Sequence, residues 1–172
     1  MILSGKQIML EQRAGRIIID PFDETAVNPN SYNFTLSDTL IVYAGDLLDA
    51  STENVTEELR IPSDGLQLKA NRLYLAATRE VMGSEHYAPT FAARSSVARL
   101  GLFINLSAPL GDIGFIGRWT LQLYPTHDVI VYPGMQIGQM MWWKTLGDVA
   151  LYNGKYQHAD GPRASMLYRS FS

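Results

Sequence analysis

Two arginines and two serines occur within six residues of the chain, at Arg94, Ser95, Ser96 and Arg99. Guanidinium groups and hydroxyls bind phosphate oxygens, and the exposed N–H groups of a helical turn bind the same kind of anion. The spacing also fits a helical turn that Ser95 and Ser96 cap, that Gly101 ends, and whose two arginines lie on the surface. The residue types therefore define a candidate polyphosphate site, and the local pattern leaves both interpretations open.

A carboxylate set among glycines follows thirteen residues after Arg99. Asp112 lies in the segment Gly-Asp-Ile-Gly-Phe-Ile-Gly, which covers residues 111–117. An acidic residue near a polyphosphate can hold the magnesium ion that accompanies it. The chemistry indicated by this stretch is the binding of a phosphorylated ligand.

Gln122 is the unusual residue of the region. Apolar residues at positions 119, 121 and 123 have the two-residue period of a half-buried strand. This pattern predicts that Thr120 and Gln122 lie on the face away from the core. Such a face lines a pocket or an interface, or it is simply solvated, and the pattern alone favours the solvated face.

The bulk composition indicates one globular domain covering residues 1–172, with 47% hydrophobic residues and 18% charged residues. A net charge of −3 and a pI near 5.5 argue against nucleic acid or an anionic membrane as partner. There is no cysteine, no recognisable signal peptide and no apolar run long enough to span a membrane. A cytoplasmic protein is expected. The three histidines show no metal-ligand spacing, so we expect no zinc site.

Few helices and many short strands are predicted to position these residues. Ser4 and Gln7 form a capping box that predicts an N-terminal helix ending near Gly15. Strands are predicted at residues 16–20, 32–36, 39–43, 66–78, 102–106, 119–123, 129–132 and 136–144, and residues 49–58 are predicted to be a surface loop. This pattern is typical of a sandwich, a jelly roll or a barrel.

With these residues in place, the chain resembles the dCTP deaminase branch of the dCTP deaminase/dUTPase family over almost its whole length. The most specific motif is Arg-Ser-Ser-Val-Ala-Arg-Leu-Gly-Leu at residues 94–102. Supporting segments are Met-Ile-Leu-Ser at 1–4, Ile-Asp-Pro-Phe at 19–22, Asn-Pro-Asn-Ser-Tyr at 28–32, Pro-Gly-Met at 133–135, Ile-Gly-Gln at 137–139 and Gly-Lys-Tyr-Gln at 154–157.

The resemblance implies a mostly β, distorted barrel or jelly roll of the dUTPase-like type, assembled as a homotrimer with active sites between subunits. It implies a pyrimidine deoxynucleoside triphosphate such as dCTP, bound with Mg²⁺ held by the triphosphate, and hydrolytic deamination to dUTP without zinc. It assigns phosphate binding to Arg94, Ser95 and Ser96, water and base positioning to Arg99, and deoxyribose contact to Asp112. It assigns backbone contacts with the pyrimidine to Thr120 and Leu121, nucleotide contacts to Tyr152, Lys155 and Gln157, and catalysis to Ser95, Arg99 and position 122.

Gln122 occupies the position at which the resembling deaminases carry a glutamate general base. An amide forms hydrogen bonds with water and with a cytosine edge, but it accepts no proton near neutral pH. Three hypotheses remain open at this point. The chain is a deaminase in which Gln122 is introduced or compensated, a dUTPase-type pyrophosphatase that uses Asp112, or a catalytically silent nucleotide binder.

Overall fold

A computed structural model describes residues 1–171 of the chain. Within these residues the chain forms two α-helices, two short 3₁₀ helices and ten strands. The helices are α1 (Gly5–Arg13) and α2 (Ser95–Ala98), and the 3₁₀ helices span Glu24–Ala26 and Leu167–Ser170. The strands are β1 (Ile18–Asp20), β2 (Tyr32–Tyr43), β3 (Thr56–Arg60), β4 (Leu66–Leu68), β5 (Tyr74–Gly83), β6 (Ala88–Ala93), β7 (Leu102–Phe103), β8 (Ile116–Pro125), β9 (Val129–Val131) and β10 (Gln136–Trp143).

The N-terminal helix follows the capping prediction. The Ser4 hydroxyl accepts a hydrogen bond from the Gln7 N–H at 3.4 Å, and Gly15 adopts a φ of +71° just after the helix. Ile8 is fully buried against the barrel. Glu11, also buried, accepts hydrogen bonds from the guanidinium of Arg16. The predicted helix is therefore confirmed, and an ion pair between buried Glu11 and half-exposed Arg16 joins it to the chain that leads into β1.

Strand β2 differs from the prediction, because the two strands expected at 32–36 and 39–43 form one strand of 12 residues. Its register with β5 shifts between Leu36 and Leu40, so a bulge takes the place of the predicted break. The predicted surface loop at 49–58 is also too long, since β3 begins at Thr56 and pairs with the end of β2. Both errors come from pairing partners that are distant in sequence.

Eight strands form one sheet in the order β6-β10-β2-β5-β8-β7, with β1 paired to β5 and β3 paired to β2. Strands β4 and β9 form a separate two-stranded ribbon. The large sheet curves into a near-closed barrel, which confirms the mostly β, barrel-type fold. Its interior contains a chain of aromatic rings in which Phe91 and Phe115 each contact Trp119 edge-on, at 5.7 and 4.8 Å between centroids.

Residues 104–111, here called the closing segment, follow β7 and contact both β6 and β8. The Asn105 side chain donates to the Phe91 carbonyl at 2.9 Å, and the Phe91 N–H donates to the Pro109 carbonyl at 3.1 Å. The predicted strand at 102–106 is therefore only partly correct. It ends at Phe103, and Leu106 is exposed. The segment leaves regular pairing because it bridges β6 and β8.

The described part of the chain contains no helix that is both long and apolar enough to cross a membrane.

Candidate functional site

The turn that contains the arginines and serines is held by its backbone. Arg94 is the residue that precedes α2, and its N–H donates to the Ile137 carbonyl at 3.2 Å. The sequence predicted a cap from Ser95 and Ser96, and this is wrong, because Arg94 occupies the cap position and no side chain caps the helix. Both serines are exposed, and among residues 1–171 their hydroxyls have no hydrogen-bond partner. They are therefore available to a ligand.

The Arg94 side chain is held by a hydrogen bond as well. Its Nη1 donates to the Gln136 Oε1 at 2.6 Å, and the same oxygen lies 3.5 Å from the Asn33 Nδ2. The Asn33 Oδ1 in turn accepts from the Asn28 Nδ2 at 2.8 Å. This buried and half-buried polar chain connects the 28–32 turn with the arginine, so two segments distant in sequence jointly fix the guanidinium. Arg99, in contrast, is exposed and follows the last residue of α2.

The loop around Asp112 is fixed on both sides of the acid. The Gly111 N–H donates to the Pro89 carbonyl at 2.8 Å, and the Gly114 N–H donates to the Ser84 carbonyl at 2.7 Å. A Cβ at Gly111 would lie 2.0 Å from Cη2 of Trp119, so this close approach requires glycine. Asp112 itself is exposed. The geometry presents a carboxylate to solvent from a backbone that is anchored at both ends.

The C-terminal tail packs on the same loop. Gln157 donates to the Gly114 carbonyl at 2.7 Å and accepts from the Ile116 N–H at 3.0 Å. The Tyr152 N–H donates to the Ile113 carbonyl at 2.8 Å. The resemblance places Gln157 among the nucleotide contacts, and its side-chain amide is hydrogen-bonded to the end of the Asp112 loop. Its contact with a nucleotide stays a prediction.

Lys155 is bound within the tail as well. Its Nζ donates to the Met166 carbonyl at 2.7 Å and lies 5.8 Å from the centre of the Tyr156 ring. The Tyr152 hydroxyl accepts from the Tyr156 N–H at 3.1 Å. Tyr152 and Lys155 thus lie in one packed tail beside the Asp112 loop, and their contact with a nucleotide stays a prediction.

The Asp112 loop and the arginine turn lie at opposite ends of β6. Gly111 is bonded to Pro89 near the start of that strand, whereas Arg94 directly follows its end. Five residues of extended chain span about 16 Å. Within one chain, the two halves of the sequence-predicted site are therefore separated by the length of β6.

Gln122 lies on the half-buried outer face of β8, while Leu121 and Leu123 are fully buried, as the alternation predicted. The Gln122 Oε1 accepts from the Leu106 N–H at 2.9 Å. This contact attaches the closing segment to β8. Among residues 1–171 the Nε2 of Gln122 has no hydrogen-bond partner, so one half of the amide is free for a ligand.

The edge of β8 opposite β5 has a gap at Thr120. On one side of the gap, the Arg118 N–H donates to the Ala159 carbonyl at 2.7 Å, and on the other, the Gln122 N–H donates to the Ile104 carbonyl at 2.8 Å. A strand directs every second N–H to the same edge, so the N–H and C=O of Thr120 lie between these contacts. Among residues 1–171 no backbone group pairs with this N–H or C=O, and the tail approaches only the Thr120 hydroxyl, which accepts from the Arg163 N–H at 3.0 Å. An unpaired donor and acceptor on a strand edge can bind the polar edge of a base.

The candidate site thus has three parts: the arginine turn at residues 94–99, the Asp112 loop with its packed tail, and the unpaired edge of β8 beside Gln122. Sequence reasoning missed Gln136, because a half-buried glutamine at the start of a strand carries no local signal. It also missed the role of Asn105 in closing the barrel, because its partner is a backbone carbonyl 14 residues away.

The comparison with protein families identifies the class of protein. A family model described as dCTP deaminase-like matches residues 2–145 of the chain. The chain belongs to the dCTP deaminase-like family.

Individual relatives are similar from end to end. A protein of Clostridium beijerinckii named "dCTP deaminase, dUMP-forming" is 46% identical over 172 residues, with 99% of each chain covered. A protein of Cytophaga hutchinsonii with the same name is 42% identical, again with 99% of each chain covered. The relatives are named for dUMP, whereas the sequence analysis expected dUTP as the product.

The fold has a counterpart among solved structures. The crystal structure of 2'-deoxycytidine 5'-triphosphate deaminase from Agrobacterium tumefaciens superimposes with a TM-score of 0.66 at 18% identity. The match covers 82% of this chain and 47% of the Agrobacterium chain. At this identity the similarity concerns the fold.

Proposed function

We propose that this protein binds dCTP as its magnesium complex and acts in the formation of dUMP. The observation that carries the proposal is the end-to-end similarity to relatives named dUMP-forming dCTP deaminases. The exposed side chains of Ser95, Ser96 and Arg99 and the exposed carboxylate of Asp112 support it, because a charged ligand can reach them. The overall reaction consumes two waters. One displaces ammonia from the pyrimidine, and the other attacks the α-phosphorus and releases pyrophosphate.

Each part of the site has a proposed role. Arg94, Ser95 and Ser96 bind phosphate oxygens, and Arg99 positions water and the base. The unpaired N–H and C=O at Thr120 bind the polar edge of the pyrimidine, whereas the N–H and C=O of Leu121 face Ala76 of β5. Asp112 contacts the deoxyribose and orients the water that attacks phosphorus. Tyr152, Lys155 and Gln157 belong to the tail that covers the nucleotide.

Magnesium fits as a companion of the triphosphate. Among residues 1–171, no three histidine, aspartate or glutamate side chains converge into a metal-binding group. Mg²⁺ is commonly bound by substrate phosphates together with one or two carboxylates, and it keeps several waters. Bound in this way, the ion would neutralise phosphate charge. Asp112 is the exposed acid of the site that could reach its water shell.

We further propose that the site is completed by a second copy of the chain in a homotrimer. The arginine turn and the Asp112 loop lie at opposite ends of β6, about 16 Å apart along the strand. A neighbouring copy would bring its own arginine turn to this chain's Asp112 loop. We also keep the sequence-based expectation of a cytoplasmic location as a proposal.

In this proposal the rate of hydrolytic deamination depends on Gln122. A general base that takes a proton from water typically contributes about 10²–10⁴-fold to the rate. The amide of Gln122 cannot accept that proton. We therefore propose slow deamination and intact nucleotide binding for this chain.

A second candidate function is hydrolysis of dUTP to dUMP and pyrophosphate. The observation in its favour is that Asp112 presents an exposed carboxylate on a doubly anchored loop, whereas position 122 carries a neutral amide. This reaction needs an acid to orient water at phosphorus and needs no base at the pyrimidine.

The deciding experiment is a panel of the four common dNTPs and dUTP with Mg²⁺, scored separately for ammonia and pyrophosphate. The proposal expects dCTP to bind and both products to form, ammonia slowly. Pyrophosphate from dUTP alone, abolished by Asp112→Asn, would establish the second candidate. Binding of dCTP without either product would identify a catalytically silent nucleotide binder, and absence of binding would overturn all three.

A further inference from the structure

A polar groove crosses the outer face of β2, β5 and β8, away from the barrel interior. It consists of two adjoining cavities of about 470 and 400 Å³ that share Ser37, Asp38 and Arg118. The smaller cavity also contains Arg79 and is walled by the turn Pro133–Gly134. Arginines from two neighbouring strands therefore face one cavity.

A bulge in β5 aims Arg79 into this cavity. The register between β5 and β8 shifts between Ala77 and Val81. Thr78 and Glu80 are both buried, so Arg79 between them is directed outward. A bulge of this kind re-aims a side chain that regular alternation would direct elsewhere.

Hydrogen bonds hold the backbone of this bulge. The buried Glu80 carboxylate accepts from the Thr35 N–H at 2.9 Å and from the Thr35 hydroxyl at 2.8 Å. The opposite wall is held as well, because the Gly134 N–H donates to the Leu36 carbonyl at 2.8 Å. The position of the cavity is thus set by the barrel itself.

Arg118 enters the cavity from β8. It pairs with Val81 on β5, and its N–H donates to the Ala159 carbonyl at 2.7 Å. Its side chain is half-buried. Along the strand it lies four residues from Gln122, or about 13 Å.

The charges around the groove leave these two arginines unneutralised. Asp38 forms an ion pair with Arg60 at 3.3 Å. In the larger cavity, Arg163 forms an ion pair with Asp160 at 2.7 Å, and Glu58 lies on its wall.

Among residues 1–171, the guanidinium groups of Arg79 and Arg118 have no hydrogen bond and no ion pair. Arg118 is half-buried, and a partly desolvated guanidinium without an acceptor is unfavourable, whereas Arg79 is exposed to solvent. The planar set of donors of each guanidinium matches phosphate oxygens. The acceptor that these two arginines lack can come from a bound anion.

We propose that the smaller cavity is an anion-binding site in which Arg79 and Arg118 bind a phosphate-class dianion. It is a second site, distinct from the Arg94–Arg99 turn, and it does not depend on the proposed function. The Ser37 hydroxyl donates to the Thr39 carbonyl, so the guanidinium groups supply the binding. The expected ligand is inorganic phosphate or the phosphate group of a larger metabolite.

The test is a titration of the ¹⁵N-labelled full chain with inorganic phosphate, following the arginine Nε–H signals by NMR. A parallel titration with chloride at equal ionic strength is the control. The proposal expects saturable shifts of the Arg79 and Arg118 signals with phosphate only. It expects the same shifts in Arg94→Gln, which removes an arginine of the other site.

Two variants sharpen the result. The double variant Arg79→Gln/Arg118→Gln should weaken phosphate binding at this site by roughly tenfold or more, because charge-assisted hydrogen bonds are lost. Arg163→Gln, whose arginine is already paired with Asp160, should leave it unchanged.

Several outcomes would overturn the proposal. Signals that do not move, or that move equally with chloride, mean that there is no anion site. Shifts that vanish in Arg94→Gln mean that phosphate binds only at the other turn. A larger phosphate-bearing ligand is distinguished from inorganic phosphate by competition between the two. If a second copy of the chain fills the groove, Arg118→Gln changes the mass measured by light scattering while phosphate has no effect, and the proposal fails.

Discussion

The substitution Gln122→Glu is the sharpest test of the chemistry assigned to the β8 face. In the structure the Gln122 Oε1 accepts from the Leu106 N–H at 2.9 Å. A glutamate has the same length, so one carboxylate oxygen keeps that contact. The other oxygen replaces the unpartnered Nε2 and becomes a proton acceptor. The change adds a base and leaves the attachment of the closing segment intact.

The expected effect on rate is large, and the effect on stability is small. A general base is worth about 10²–10⁴-fold, which corresponds to about 2.7–5.4 kcal/mol of activation free energy. The hydrogen bond from Leu106 becomes charge-assisted, which stabilises by about 1 kcal/mol, and desolvation of a half-buried carboxylate offsets part of it. We therefore expect the free energy of unfolding to change by less than about 1 kcal/mol.

The assay is ammonia release from dCTP with Mg²⁺, at saturating nucleotide, for the parent chain and the variant. Gln122→Met is the matched control, because it keeps the length of the side chain and provides neither an acceptor for Leu106 nor a base. It should release no more ammonia than the parent. If Gln122→Glu binds dCTP and still releases ammonia less than about tenfold faster than the parent, position 122 is not the site of proton transfer, and the reasoning is refuted.

Three further predictions concern the elements that position the site. Gly111→Ala should lower the free energy of unfolding in urea by about 1–3 kcal/mol, because the new Cβ meets Trp119, whereas Gly161→Ala, with open space around it, should not. Gln157→Leu removes its hydrogen bonds to the Asp112 loop and should speed hydrogen exchange at the Ile116 N–H, and unchanged exchange would contradict the role given to the tail. The hydrogen bond from Arg16 lowers the pKa of Glu11 to about 2, below its usual 4.5, so this carboxylate stabilises the fold above pH 4.5 and the contribution is lost as the pH falls toward 2. Glu11→Gln should reduce the change in the free energy of unfolding across that pH window by about 1–2 kcal/mol, a value that allows for the half exposure of Arg16. An unaltered pH profile would show that the Glu11–Arg16 pair is not the cause.

The elements that could be predicted are those with a local signal. The capping box at Ser4 located α1, and the alternation at residues 119–123 located β8 and its buried face. The strands around the Pro133–Gly134 turn were also correctly placed. In each case the periodicity or turn chemistry lies within one element, and propensity and burial agree there.

The errors arose where pairing with distant residues overrides a local pattern. Residues 37–38 contain no apolar residue and predict a break, yet β5 pairs with β2 on both sides of them, at Leu36 and Leu40, and β2 continues through a bulge. Leu106 continues an apolar alternation and was placed in a strand, yet the closing segment departs from β8 to reach β6.

The sequence by itself determined the family, the mostly β fold and the set of chemically active residue types, because these depend on motifs and spacing along the chain. The tertiary structure alone decided how these residues are held. It placed Gln136 on Arg94, the Leu106 N–H on Gln122, and Arg79 beside Arg118 in one groove. These contacts depend on strand register and on bulges, and both are set by pairing between segments far apart in sequence, which no local pattern encodes.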